Sequence, residues 1–129
     1  MFGSVIYTLE SVGIGKAVAQ RCAEQGLNVV LVARPDDFLD ATFAELKETY
    51  PEVQFRKVAV DLGKRGYVEV VEEATKDITC QVCFMNAGYV QTGFFSRVTL
   101  AAHYANLECN VGHSIGLTHL FVNRCAPLS

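Results

Sequence analysis

Thr8-Leu9-Glu10-Ser11-Val12-Gly13-Ile14-Gly15 is the stretch on which the reading of this chain turns. An apolar run, Val5-Ile6-Tyr7, precedes it, and a helical pattern opens at Lys16. A glycine-bearing turn between a strand and a helix exposes backbone N–H groups and the positive end of the helix dipole. Both favour a pyrophosphate. Gly13 and Gly15 allow close approach of backbone to ligand and tight packing of the helix on the strand. A glycine pair alone serves equally well as loop glycines; its place after a strand and before a helix is what gives it weight.

Outward from this turn, strands and helices alternate. Residues 5–8 read as a short buried strand. Residues 13–25 read as a helix with an Ala17, Val18, Ala19, Cys22, Ala23 face and Gly26 as its stop. Asn28-Val29-Val30-Leu31-Val32-Ala33 is a nearly continuous β-branched run, the pattern of a parallel strand covered on both faces. Arg34-Pro35-Asp36-Asp37 is a turn with an Asp to cap the next helix, which carries Phe38, Leu39, Phe43 and Leu46 and ends before Pro51. Residues 53–60 read as a third strand, and Arg56 and Lys57 inside it suit a sheet edge.

Asp61-Leu62-Gly63 is a loop, and Tyr67, Val68, Val70, Val71 and Ala74 mark a helix. Residues 81–85 read as a fourth strand, followed by Asn86-Ala87-Gly88. One long last helix is expected over residues 99–124, capped by Thr99. Its candidate core positions are Leu100, Tyr104, Leu107, Val111, Ile115, Leu117, Leu120 and Phe121. This alternation predicts an α/β fold, a partial doubly wound (Rossmann) parallel sheet of order 3-2-1-4 with helices on both faces. Strand 4 is then a bare edge.

Composition narrows the function classes. The chain has 129 residues, half of them hydrophobic, so residues 1–129 are expected to form a single domain. A net charge of −3 argues against nucleic acid as a main partner. No apolar run is long enough for a transmembrane segment, and the first residues carry no signal-peptide pattern. A cytoplasmic location is expected. The five cysteines, Cys22, Cys80, Cys83, Cys109 and Cys125, are odd in number and irregularly spaced. Cys80-Gln81-Val82-Cys83 matches C-x-x-C but falls in a strand, whereas a redox pair needs a helix N-terminus to stabilise its thiolate. His103, His113 and His119 lack metal-pair spacing and are expected to be surface or partly buried residues.

Thr8, Gly13-Ile14-Gly15, Arg34, Asp61-Leu62 and Met85-Asn86-Ala87-Gly88 together resemble the short-chain dehydrogenase/reductase family in order and spacing. That family's turn is T-G-x-x-x-G-x-G, and its fourth strand ends in N-N-A-G or a close variant. The resemblance runs over residues 5–121. Residues 29–34 and 58–62 look like the branch of 3-ketoacyl-CoA reductases and 17β-hydroxysteroid dehydrogenases, whose alternative location would be the endoplasmic reticulum.

The resemblance implies a nicotinamide dinucleotide partner. Thr8, Ser11, Gly13, Ile14 and Gly15 would line its diphosphate and ribose. Asp61 and Leu62 would hold the adenine, and Asn86, Ala87 and Gly88 would support the nicotinamide side. Asn110 matches the family's Asn that holds a water in the proton relay, the one catalytic residue carried over; an ordinary polar helix residue is the alternative reading. Asn86 could equally be a cap of the strand end. Arg34 follows the second strand, where an acid would hold the 2′-hydroxyl of NAD. A guanidinium suits the 2′-phosphate, so NADP is expected over NAD.

Departures from the family pattern matter as much. Leu9 stands where the first Gly belongs, and Glu10 sets a negative charge beside the phosphates; both are expected to weaken cofactor binding. Family members use a Ser, a Tyr and a Lys four residues after the Tyr for proton transfer at a carbonyl. No Tyr of this chain has Lys four residues on. The chain is therefore expected to be the nucleotide-binding, amino-terminal half of an oxidoreductase of ketones or secondary alcohols, without activity of its own. The alternatives are a non-catalytic interaction protein, associating through strand 4 or the last helix, or an incomplete gene product.

Overall fold

The computed structural model describes residues 4–8 and 13–125. Its strands are β1 (Ser4–Thr8), β2 (Asn28–Ala33), β3 (Phe55–Ala59) and β4 (Cys80–Met85). Its helices are α1 (Ile14–Glu24), α2 (Asp37–Thr49), α3 (Tyr67–Ala74), α4 (Leu100–Leu107) and α5 (His113–Cys125). The four strands form one parallel sheet in the order β3-β2-β1-β4.

β2 organises the packing. Residues 29–33 are all buried, and side chains alternate between the two faces of a strand. Val29, Leu31 and Ala33 pack with Ala19, Cys22, Leu39 and Leu46 from α1 and α2. Val30 and Val32 pack with Val58, Tyr67, Val71, Leu117 and Phe121, so α3 and α5 cover the other face. Burial on both faces explains why this strand carries apolar residues at every position.

Local signals end the helices where the chain must turn back. Gly26, at φ 77°, follows α1. Its N–H bonds to the Ala23 carbonyl at 2.9 Å, and the Leu27 N–H bonds to the Cys22 carbonyl at 3.1 Å. This paired closure needs a left-handed residue, which glycine supplies without strain. Asp36 Oδ1 accepts from the Leu39 N–H at 2.8 Å and caps α2, and Thr99 Oγ1 accepts from the Ala102 N–H at 3.2 Å at the start of α4.

β3 is an edge strand, shorter than the predicted 53–60, and its charges are tied down. Arg56 donates to both Asp77 carboxylate oxygens, at 2.6 and 2.9 Å, and to the Ala74 carbonyl at 2.7 Å. Those bonds from Arg56 hold the Asp77 carboxyl down at about 2. Lys57 reaches Asp40 of α2 at 2.5 Å. β4 is the other edge and leaves Val82 and Phe84 exposed.

The expected single long helix is interrupted. A π turn, Glu108–Gly112, separates α4 from α5. Five of the eight predicted core positions are also corrected. Leu117 and Phe121 are buried, whereas Leu100, Tyr104, Leu107, Val111 and Ile115 are exposed, Leu100 at 66 % and Ile115 at 67 %. α5 packs on β4 and α3, but α4 buries no residue. Hydrophobic period marks a face and does not supply the element that covers it. His113, expected to be a surface or partly buried residue, has no exposed area at all. Among the described residues no helix is long and apolar enough to cross a membrane.

Candidate functional site

Parallel strands bring four connecting segments to one end of the sheet. Thr8 pairs with Val32 of β2 and Met85 of β4, and Ala33 pairs with Ala59 of β3. The segments that follow these residues therefore leave the sheet side by side. They are the Gly13 turn, Arg34, Asp61-Leu62 and Asn86-Ala87-Gly88. From β1 the chain crosses first to β2 on one side and later to β4 on the other. Such a reversal opens a crevice outside the carboxyl ends of the strands, where α/β sheets bind ligands.

Gly13 caps α1 with φ 108° and ψ −126°. A Cβ at this position would meet nothing within 4 Å, so glycine is required by the backbone conformation and the space above it is open. Among the described residues no side chain caps α1, and its first turn holds no acidic residue, which leaves the dipole end uncompensated by this helix. Ile14 is 74 % exposed at the turn, and Gly15 is buried against the sheet. Leu9, Glu10 and Ser11 lie outside the described residues, and Thr8 is placed by its backbone pairing alone.

Arg34 is exposed, and its guanidinium has no ion-pair partner among the described residues. Asp61 is half-buried. Its Oδ1 accepts from the Gly63 N–H at 2.9 Å, and its other oxygen lies 3.9 Å from Lys64 Nζ. Leu62 is buried in the core, so only its backbone can face the crevice. Gly63 lets this loop reach α4, because a Cβ there would stand 3.2 Å from the Ala105 carbonyl oxygen.

Asn86 is exposed, Ala87 is buried and Gly88 lies between. The next residue is clamped. Asn110 Oδ1 accepts from the Tyr89 N–H at 2.8 Å, and Asn110 Nδ2 donates to the Tyr89 carbonyl at 2.8 Å. Asn106 Nδ2 donates to the same carbonyl at 2.6 Å. A Cβ on Gly88 would stand 3.0 Å from Asn110 Oδ1, so glycine makes room for the clamp. The structure thus brings Asn110 onto the loop that follows β4, beside Asn86-Ala87-Gly88.

Two groups around the π turn were missed in the sequence. Glu108 accepts from the Tyr67 hydroxyl at 2.6 Å and from Arg65 Nε at 3.4 Å. Burial, then the bond to Glu108, pushes the Tyr67 phenol up. His113 Nδ1 bonds the Cys109 carbonyl, and burial pushes its imidazole down, against the pull of that bond and of Glu108. Asn106 had one usable signal, its place one helical turn before Asn110. Glu108 had none, since its partners come from the fold, and nothing in the sequence marked His113 for full burial. Cys22 is a buried thiol, and the described residues contain no cluster of metal-ligating side chains.

Comparison with known proteins agrees with this arrangement. Residues 4–125 match the family model for short chain dehydrogenase. The chain is 26 % identical over 111 residues to hydroxysteroid dehydrogenase-like protein 1 of Gallus gallus, covering 84 % of this chain and 33 % of that protein. It is 32 % identical over 76 residues to very-long-chain 3-oxoacyl-CoA reductase of Homo sapiens, covering 59 % and 24 %. Among solved structures, L-sorbose reductase from Gluconobacter frateurii, complexed with NADPH and L-sorbose, superposes with a TM-score of 0.84 at 27 % identity. That match covers 96 % of this chain and 48 % of the reductase. The chain spans about a third or less of these curated relatives and about half of the solved one. Because the family model matches residues 4–125, nearly the whole sequence, the chain belongs to the short chain dehydrogenase family.

Proposed function

We propose that this chain forms the NADP-binding part of a short-chain dehydrogenase. The observation that carries the reading is the convergence of the Gly13 turn, the exposed Arg34 and the Asn86-Ala87-Gly88 strand end on one crevice. In this reading Thr8, Ser11, Gly13, Ile14 and Gly15 take the diphosphate and adjoining ribose, and Arg34 takes the 2′-phosphate. Asp61 and the Leu62 backbone border the adenine. Asn86, Ala87 and Gly88 border the nicotinamide, and Asn110 fixes the loop beyond them. The solved L-sorbose reductase carries NADPH, which supports NADP over NAD. Bound NADPH would supply a hydride for a carbonyl carbon. No Tyr of this sequence has a Lys four residues on to move the accompanying proton, so catalysis is not assigned to these residues alone. Similarity to 3-oxoacyl-CoA reductase and hydroxysteroid dehydrogenase-like proteins favours a ketoacyl or steroid-like ketone as the substrate class.

Titration with NADPH and NADH, followed by nucleotide fluorescence, tests the reading. Saturable NADPH binding, tighter than NADH, is the expected result. No binding at millimolar NADPH would overturn it.

A second reading, association through the β4 edge and the outward face of the last helices, is favoured by the exposure of Val82, Phe84, Leu107, Val111 and Ile115. Light scattering that finds only monomer at high concentration counts against it. Neither reading involves nucleic acid, and both suit a cytoplasmic setting.

A further inference from the structure

His113 links two facts that no family motif connects: the π turn and the Asn110 clamp. In an α-helix its N–H would bond to the carbonyl four residues back, that of Cys109. Instead the His113 N–H bonds to the Glu108 carbonyl, five residues back. The ring of the same residue returns a donor to the Cys109 carbonyl through Nδ1. A carbonyl can only accept, so Nδ1 carries the proton and the neutral ring is in one tautomer. One residue thus bonds two successive carbonyls, one through its backbone and one through its side chain.

The wider spacing has a local consequence. Asn110 lies inside the π turn, and its side chain meets both backbone groups of Tyr89 at 2.8 Å. A π turn shifts every later residue around the helix axis relative to α-helical spacing. Register therefore governs whether Asn110 on one side and Leu117 and Phe121 on the other can reach their partners together. The fully buried His113 sits at the point where the register changes.

We propose that His113 is a positioning residue: its ring donor holds the π turn and so sets Asn110 against the Tyr89 backbone. The consequence for the loop after β4 stands on geometry alone. The consequence for the nicotinamide side of a bound cofactor rests on the reading given under Proposed function.

Amide hydrogen exchange on the full 15N-labelled chain separates a positioning role from a merely structural one. The Tyr89 N–H reports the clamp, and the amides of Val30 and Val32 report global opening. His113→Leu keeps bulk and removes the donor. His113→Asn keeps a donor of suitable reach, since Asn123 Nδ2 already donates to the His119 carbonyl at the same spacing, at 2.9 Å. The expected result is exchange at Tyr89 faster by about tenfold in H113L, relative to the β2 amides, with H113N restoring most of the protection. Unchanged relative protection in H113L, or no rescue in H113N, would overturn the proposal. If H113L does not fold, H113N decides by itself: wild-type protection at Tyr89 supports the role and lost protection refutes it. The wild-type NADPH titration is independent, so a failed cofactor reading leaves this result standing.

Discussion

The side-chain amide of Asn110 makes both hydrogen bonds of a strand-like pairing with the backbone of Tyr89, accepting from its N–H and donating to its carbonyl, each at 2.8 Å. The loop that leaves β4 is thereby fastened to the helix that crosses behind it. Asn110→Ala removes both bonds and is expected to lower stability by about 1–3 kcal/mol in urea unfolding. Asn110→Asp keeps the acceptor but sets a carboxylate oxygen against the Tyr89 carbonyl, so it should recover none of that loss. Gly88→Ala pushes on the same amide from the other side and should cost about 1 kcal/mol. Wild-type midpoints for N110A would remove the clamp from any account of this site.

Arg34 tests the choice of cofactor. Replacing it with Ala removes a charged donor from the end of β2, and a charge-assisted bond to phosphate is worth about 1.5–3 kcal/mol. NADPH affinity should fall by about 10- to 100-fold while NADH affinity stays within about twofold. Equal losses for the two nucleotides would place the 2′-phosphate away from Arg34.

Tyr67 supplies an alkaline signature. Burial and the Glu108 bond raise its folded pKa, so the folded phenol stays neutral when the unfolded one ionises. Stability is fully present below the unfolded value of about 10 and declines as pH rises above it. Tyr67→Phe should cost about 1 kcal/mol at pH 7, where the hydroxyl bond is lost. The variant should also show a flatter melting-temperature profile above pH 10. Parallel profiles would contradict the assignment.

His113 supplies an acid one of opposite sign. Burial lowers its folded pKa, while Glu108 and the Cys109 carbonyl oppose the shift. The unfolded state then binds more protons below about pH 6.5, and stability falls as pH drops through that value toward the folded pKa. His113→Asn cannot take up this proton, so its stability should vary less than wild type between pH 7 and pH 5. Thermal melts in matched buffers measure the difference; a variant as acid-sensitive as wild type would locate the titrating group elsewhere.

Much of the fold was legible because its signals are local. The unbroken apolar run of β2 announced burial on both faces, and Gly26, Asp36 and Thr99 announced helix ends through their own backbone and side-chain chemistry. The crevice residues were legible for a related reason. They follow strand ends, and a parallel sheet delivers strand ends to one edge whatever the distance along the chain.

The last third of the chain was read less well. Leu100, Tyr104, Leu107, Val111 and Ile115 follow one another at helical spacing, whereas Leu117, two residues after Ile115, and Phe121 point to another side of the helix, and of these only Leu117 and Phe121 meet α3 and the sheet. Periodicity identifies an apolar face, while coverage depends on which elements are adjacent. The π turn is invisible to periodicity as well, and its residues take partners far along the chain: Tyr67 and Arg65 on Glu108, and Tyr89 on Asn110.

By itself, the sequence determined a parallel α/β sheet, its helix ends and the family to which the chain belongs, because propensities, caps and motif spacing act over a few residues. The tertiary structure decided the break between α4 and α5, the burial of His113 and the docking of Asn110 on Tyr89. Each of those depends on groups that meet only after the strands have paired, when burial and hydrogen bonding across the fold outweigh the local preference for an uninterrupted helix.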